Sequence, residues 1–217
     1  MQAERVETVG RRNFLKRASL FAIALPSLQL GTMWLSGCSG QSRLSKVAAE
    51  GSPANVPWKI VTVSDSEPGE PLIVSGTIYS PDGRTPLPGI DLYVYQTDAT
   101  GVYTTSGGNN RNTRIHGLMR SGADGRYEFR TIKPASYPGT RISAHIHAYV
   151  SGPGYPEYWI DEFIFDTDPF VTDEVRSKFA GNGSFSPILK LTRDSDGVWR
   201  GVRDIKVERC AKNCTGH

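Results

Sequence analysis

Two histidines stand one residue apart in His145-Ile146-His147, and the chain has only two others, His116 and His217. In an extended strand, residues i and i+2 share a face, so both imidazoles would point the same way. A strand over 141–150 would carry Arg141, Ser143, His145, His147 and Tyr149 on that face, with Ile142, Ala144, Ile146 and Ala148 on an apolar one. A same-face imidazole pair suits zinc, copper, iron or nickel. The further ligands decide among them. Cys38, Cys210 and Cys214 are the only thiols, all remote in sequence, which disfavours a thiolate zinc site. Asp91, Asp98 and Asp161 are carboxylates that could join two histidines on iron, and a tyrosinate, being anionic and hard, would suit a ferric ion.

The elements that must hold these residues read as strands. Alternating or β-rich runs occur at 59–63, 72–79, 91–97, 125–131, 141–150, 158–165, 188–193 and 198–207. Turn signals such as Ser80-Pro81-Asp82-Gly83, Ala123-Asp124-Gly125 and Asp196-Gly197 separate several of them. Short strands with Asx-Gly turns predict an all-β sandwich of mostly antiparallel strands with long site-bearing loops. Residues 173–179 read as a short helix. Tyr93, Tyr95, Tyr127, Tyr149, Tyr155 and Tyr158 read as packing aromatics, and His116 as a surface or supporting residue.

Ahead of the strands lies a segment of different character. Residues 1–37 hold five basic and two acidic side chains, and so carry the whole formal charge of +3. The remaining chain is neutral, which gives no electrostatic reason to expect nucleic acid as a partner. Arg11-Arg12-Asn13-Phe14-Leu15-Lys16 before an apolar run is similar to a twin-arginine export signal. Leu35-Ser36-Gly37-Cys38 resembles a lipoprotein processing box, which would make Cys38 the acylated first residue. The expected organisation is a signal over 1–37, a Ser/Gly/Ala/Pro-rich tether over 38–57, a folded domain over 58–209 and a tail over 210–217. The protein would then be exported, attached to a membrane only through lipid on Cys38. Cys210 and Cys214 would be placed to form a disulfide outside the cytoplasm.

Several motifs fall in a recognisable order. Gly76-Thr77-Ile78 and Pro88-Gly89-Ile90 precede Val94-Tyr95-Gln96-Thr97-Asp98-Ala99-Thr100-Gly101-Val102-Tyr103. The run from Ala123 to Pro134 follows, then Tyr137-Pro138 and Ala144-His145-Ile146-His147. From about residue 73 to 168 this pattern resembles the intradiol ring-cleaving dioxygenases. The resemblance implies an Fe(III) site ligated by Tyr103, Tyr137, His145 and His147, with Tyr137 doubling as a general base. It implies an aromatic diol and O2 as substrates, and a cis,cis-muconate-type product. Members of the family place an arginine three residues before the first histidine; here that position is Ile142, and Arg141 stands one earlier. Arg141 is therefore the expected catalytic cation, with Arg130 the alternative. The substrate's identity and the oligomeric state stay open. The competing reading is a non-catalytic, transthyretin-like binding module at the cell surface, to which Gly76 through Gly89 is also suited. A copper or zinc protein using only the histidine pair is a third.

Overall fold

The computed structural model describes residues 55–105 and 110–209. The export signal, Cys38, almost all of the expected tether and the Cys210–Cys214 pair lie outside the described residues. Among those described, no helix is long and apolar enough to cross a membrane.

Among the described residues, eleven strands form two sheets: β1 (Lys59–Val61), β2 (Pro71–Tyr79), β3 (Asp91–Gln96), β4 (His116–Arg120), β5 (Arg126–Ile132), β6 (His145–Gly152), β7 (Tyr155–Phe165), β8 (Ile188–Leu189), β9 (Thr192–Arg193), β10 (Trp199–Val202) and β11 (Ile205–Lys206). The first sheet runs β1-β5-β2-β10-β9, with β11 also on β2; the second runs β4-β3-β6-β7-β8. The longest pairings, β2 with β5 and β6 with β3 and β7, are antiparallel, while the short strands β1, β8 and β11 join in parallel. The all-β sandwich is thus as expected from the strand and turn pattern.

Alternation explains how the layers close. Leu72, Val74 and Ile78 of β2 and Tyr127 and Phe129 of β5 face Leu92 and Val94 of β3, Ile146, Ala148 and Val150 of β6, and Phe163 and Phe165 of β7. The rings of Phe129 and Phe163 meet edge to face, 5.8 Å between centroids, near the middle of this core. Burying each such ring contributes about 2–3 kcal/mol. Among the described residues, the α-helix α1 (Asp173–Phe179) lies where the sequence placed it; Thr172 caps it by accepting from the Val175 amide.

The sequence reading merged or missed some elements. Its last two runs are each divided, into β8 and β9 and into β10 and β11. It missed β4, where Gly117 lowers β propensity; a Cβ there would lie 2.4 Å from the end of the Ile60 side chain, which would have to turn aside. The strand expected from Arg141 begins only at His145. Ile142, assigned to the apolar face, is instead 51% exposed.

Gly76 shows why the first motif has its form. A Cβ on it would stand 1.8 Å from the Arg203 carbonyl oxygen, so β2 and the β10–β11 junction approach through that gap. Gly76→Ala should destabilise the domain by about 3 kcal/mol or more in urea unfolding. Gly181→Ala, where nothing lies within 4 Å, should change it by no more than about 0.5 kcal/mol.

Candidate metal centre

The outer face of the second sheet is built from its inner face. With Ile146, Ala148 and Val150 locked in the core, His145, His147 and Tyr149 of β6 must point outward. Tyr93 and Tyr95 of β3 flank them, in register with Tyr149 and His147. Trp159 of β7 is in register with Tyr149 on the other side. His147 is nearly enclosed: Tyr95 stacks on it at 4.5 Å, and Trp159 meets it edge-on at 5.0 Å.

Two loops bring the tyrosines over this face. The first runs from Thr97 to Tyr103 and is wound around Asp98. One Asp98 carboxylate oxygen accepts from the Thr100 amide and hydroxyl and from the Val102 amide, at 2.8, 2.7 and 3.1 Å. Asp98 is therefore a turn-builder and not a ligand, and burial acts against hydrogen bonds that hold its carboxyl below the usual range. The second loop carries Tyr137. The loops touch at Gly101, whose φ is +80° and where a Cβ would lie 2.0 Å from the Ser136 carbonyl oxygen. The Thr97 hydroxyl donates to the Ala135 carbonyl at 3.0 Å and ties them a second time. At the entry to β6, Asp168 accepts from the Ala144 amide at 2.9 Å and from Phe170 at 2.8 Å.

The four donor atoms converge. Tyr137 Oη lies 2.8 Å from Tyr103 Oη, 3.0 Å from His145 Nε2 and 3.3 Å from His147 Nε2, and the two Nε2 atoms are 3.2 Å apart. His145 Nδ1 lies 2.7 Å from the Ser143 carbonyl. A carbonyl only accepts, so Nδ1 carries the proton and Nε2 presents a lone pair to the cluster. Four electron-rich atoms at these separations hold at most two phenolic protons among them. That donor set fits a cation, and its mix of phenol and imidazole suits a hard or borderline transition metal such as iron.

Electrostatics point the same way. Burial pushes both phenols up: Tyr103 far above an ordinary tyrosine, its hydrogen bond to Tyr137 adding to the shift, and Tyr137 less so because accepting that bond favours its anion. Burial lowers His145 below the ordinary imidazole value, outweighing the Ser143 contact that favours its charged form. Without a cation both tyrosines stay neutral, and a bound cation must displace their protons.

Among the expected carboxylate donors, Asp91 is occupied by Arg120 at 2.6 Å and Asp161 is exposed. The carboxylate at the cluster is one the sequence reading missed, Glu162. His145, His147 and Glu162 present potential ligand atoms within 4.8 Å of one another. Glu162 Oε1 lies 3.5 Å from His147 Nδ1, on the ring edge away from the cluster, and its carboxyl is held below the usual range chiefly by that histidine. A break in the strand's alternation hid it, as shown below.

The arginines differ from expectation. Because β6 starts at His145, the two-residue period that put Arg141 on the histidine face does not apply to it. Arg141 is exposed on the loop that carries Tyr137, with its guanidinium 6.0 Å from the Phe170 ring. Arg130 does not replace it. It projects from the outer face of β5 in the other sheet and lies 3.6 Å from Asp65. Arg111 is the cation over the aromatic face: 3.8 Å above the Tyr149 ring and 2.7 Å from Glu157. His116 stays outside the cluster, with Nδ1 at 2.5 Å from the Thr113 carbonyl.

The two-sheet sandwich has known counterparts. A family model described as "Dioxygenase" matches residues 50–196. The 6-chlorohydroxyquinol 1,2-dioxygenase of Cupriavidus pinatubonensis is 26% identical over 88% of this chain and 72% of its own. Catechol 1,2-dioxygenase 1 of Acinetobacter lwoffii is 27% identical, over 52% of this chain and 42% of its own, so this chain spans less than half of that relative's length. Among solved structures, the dioxygenase domain of a dioxygenase–carbohydrate-binding fusion from Streptomyces sp. SirexAA-E superposes with a TM-score of 0.53. It is 27% identical, over 72% of this chain and 92% of that one. An intradiol ring-cleavage dioxygenase from Tetranychus urticae gives 0.55 at 18% identity, over 75% and 92%. The chain belongs to the dioxygenase family, in its intradiol ring-cleaving branch. That membership, with the tyrosine convergence, does not favour the binding-module reading.

The metal-free protein carries a pH signature. Folding lowers the His145 pKa, so the unfolded chain binds protons more readily around the ordinary value of 6.5. Its contribution to stability is complete above that value and is lost as pH falls below it. The melting temperature of metal-free protein should drop from about pH 7.5 to about pH 5.5, and His145→Asn should flatten this slope. An unchanged slope in the variant would contradict the assignment.

Proposed function

We propose that the protein is a non-haem, Fe(III)-dependent dioxygenase that cleaves a catechol-type aromatic diol between its two hydroxyl-bearing carbons, giving a cis,cis-muconate-type product. The observation that carries this is the meeting of Tyr103 Oη, Tyr137 Oη, His145 Nε2 and His147 Nε2 within 3.3 Å of Tyr137 Oη or of each other. These four residues would hold the iron. Bound there, ferric iron would supply a Lewis-acidic, redox-active centre through which a chelated diol reacts with O2.

The chain's own residues divide the remaining work. Tyr103 is the fixed phenol, its ring set against the stacked pair of Tyr95 at 6.2 Å and His147 at 6.4 Å. Tyr137 stands at the head of the exposed run 138–142, and it is the phenol whose anion the hydrogen bond from Tyr103 favours. That suits it to accept a hydroxyl proton from the incoming diol, a general-base role. Trp159 and Tyr95 shield His147 from water, which strengthens every polar interaction at the cluster. Arg141 rides on the same loop as Tyr137, and no carboxylate of the described residues pairs with it. Its guanidinium is thus available to stabilise negative charge on the bound diol or its oxygenated product.

The deciding experiment is oxygen uptake by iron-loaded protein against a panel of diols. Stoichiometric uptake with a ring-opened diacid supports the reading; no uptake with any diol by protein holding full iron would sink it. Tyr137→Phe should lower turnover by about 100-fold or more, as for loss of a general base. Arg141→Ala should keep its iron and its visible colour while turnover falls at least tenfold. Near-normal turnover would remove Arg141 from the mechanism.

We further propose that the chain is exported and that Cys38 carries lipid, supported by the twin-arginine block and the Leu35-Ser36-Gly37-Cys38 box. Mass spectrometry of the membrane fraction should find an acylated N-terminal Cys38. A soluble mature chain with another N-terminus would reject the lipid and leave export standing.

A further inference from the structure

The ladder between β6 and β7 breaks at one point beside the donor cluster. Ile146 pairs with Phe163, and Ala148 pairs with Ile160. One residue of β6, His147, therefore faces two of β7, Asp161 and Glu162: a two-against-one bulge. Strict alternation from Trp159 would put Asp161 and then Phe163 on the outer face and turn Glu162 into the core. The bulge resets the phase. Phe163 is fully buried and Glu162 faces outward, its carboxylate beside the His147 ring.

The bulge has a holder. The Asp161 carbonyl accepts from Arg203 Nη1 at 2.8 Å. Arg203 is only 5% exposed, and its guanidinium lies 4.7 Å from the ring of Phe163, the residue that the bulge turns inward. Its backbone is pinned by Tyr127 Oη donating to its carbonyl at 2.6 Å and by its own amide donating to Ser75 at 3.0 Å. Among the described residues it pairs with no carboxylate. Burying an arginine without a counter-ion is costly, so a specific structural use is expected of it.

The two histidines are also oriented by different means. His145 Nδ1 has a backbone carbonyl at 2.7 Å. His147 Nδ1 is buried without a hydrogen bond, and the nearby Glu162 oxygen stands at 3.5 Å, just beyond hydrogen-bond range. A ligating imidazole needs a partner on its other nitrogen to fix tautomer and ring orientation.

We propose that Glu162 is the positioning residue of His147, accepting its Nδ1 proton so that the Nε2 lone pair faces Tyr103, Tyr137 and His145, and that Arg203 keeps Glu162 in place by clamping the bulged Asp161 carbonyl. This rests on the iron site proposed above and assigns two residues that no ligand motif contains. Glu162 touches neither substrate nor reacting atoms; it acts through His147. Arg203 acts one step further back, through the backbone.

The test uses the full chain with Glu162→Gln, Glu162→Leu, Arg203→Met and the Glu162→Leu/Arg203→Met double variant. The readouts are iron affinity by chelator competition, the visible absorption of the iron-loaded protein, and the melting temperature of the metal-free protein. A glutamine oxygen can accept the same proton, so Glu162→Gln should stay within about threefold of wild-type affinity. Glu162→Leu should bind iron about 10- to 100-fold more weakly, with a shifted visible band and a metal-free melting temperature near wild type. Arg203→Met should weaken iron binding in the same direction, and the double variant should be no weaker than the more affected single one. Wild-type affinity and colour in Glu162→Leu would overturn the proposal. Full affinity in a folded Arg203→Met would remove the clamp. Should Arg203→Met fail to fold, the contrast between glutamine and leucine at 162 still decides the role of Glu162. If the wild type itself takes up no iron, the iron-site reading falls and this inference falls with it; wild-type uptake with an unaffected Glu162→Leu defeats this inference alone.

Discussion

The burial of Ile146, Ala148 and Val150 is the constraint on which the site depends. Each is at most 1% exposed, packed beneath β6 against the facing sheet. A strand cannot bury those residues without turning His145 and His147 to its other face, so the core's packing energy holds the imidazoles in position. A one-residue slip of β6 would expose three apolar side chains and bury two imidazoles, a penalty of several kcal/mol by simple transfer arithmetic. The histidine pair is thus as rigid as the core, while the tyrosines come from loops. Gly101 lets those loops meet, and Asp98 shapes the first of them.

This division explains what is legible in the sequence. The sandwich, the short helix and the histidine pair were legible because each follows from a local period or turn signal. The tyrosines were not accessible by that route. Nothing in local periodicity relates Tyr103 to Tyr137, 34 residues apart on different loops; the ordered family motifs brought them together. Arg141 was misplaced because the strand's period was extended four residues too far, into a segment whose Ile142 is half exposed. Glu162 is absent from the carboxylates Asp91, Asp98 and Asp161 named from the sequence, and strand phase would not have found it. A bulge changes the phase of a strand, and a run such as Trp159-Ile160-Asp161-Glu162-Phe163 does not announce where the extra residue falls. β4 was hidden by Gly117, which weakens the strand signal and packs closely on Ile60.

Without a cation, the two phenol protons can link Tyr103 to Tyr137 and Tyr137 to His145, while His147 Nδ1 is buried with no hydrogen-bond partner. Two phenol oxygens and two imidazole nitrogens brought this close are also the donor set that a hard or borderline transition-metal ion takes. Around it the face is aromatic, with Tyr93, Tyr95, Tyr149 and Trp159 in one layer and Arg111 neutralised by Glu157 above. Such a surface is suited to flat, electron-rich ligands.

The central claim is that Tyr103, Tyr137, His145 and His147 together bind one iron. The most direct measurement is a crystal structure of the iron-loaded protein with anomalous difference density collected at the iron edge. The account predicts a single peak within bonding distance of Tyr103 Oη, Tyr137 Oη, His145 Nε2 and His147 Nε2. A peak bound by the histidines and Glu162 with both tyrosines turned away, or no peak at the cluster, would contradict it.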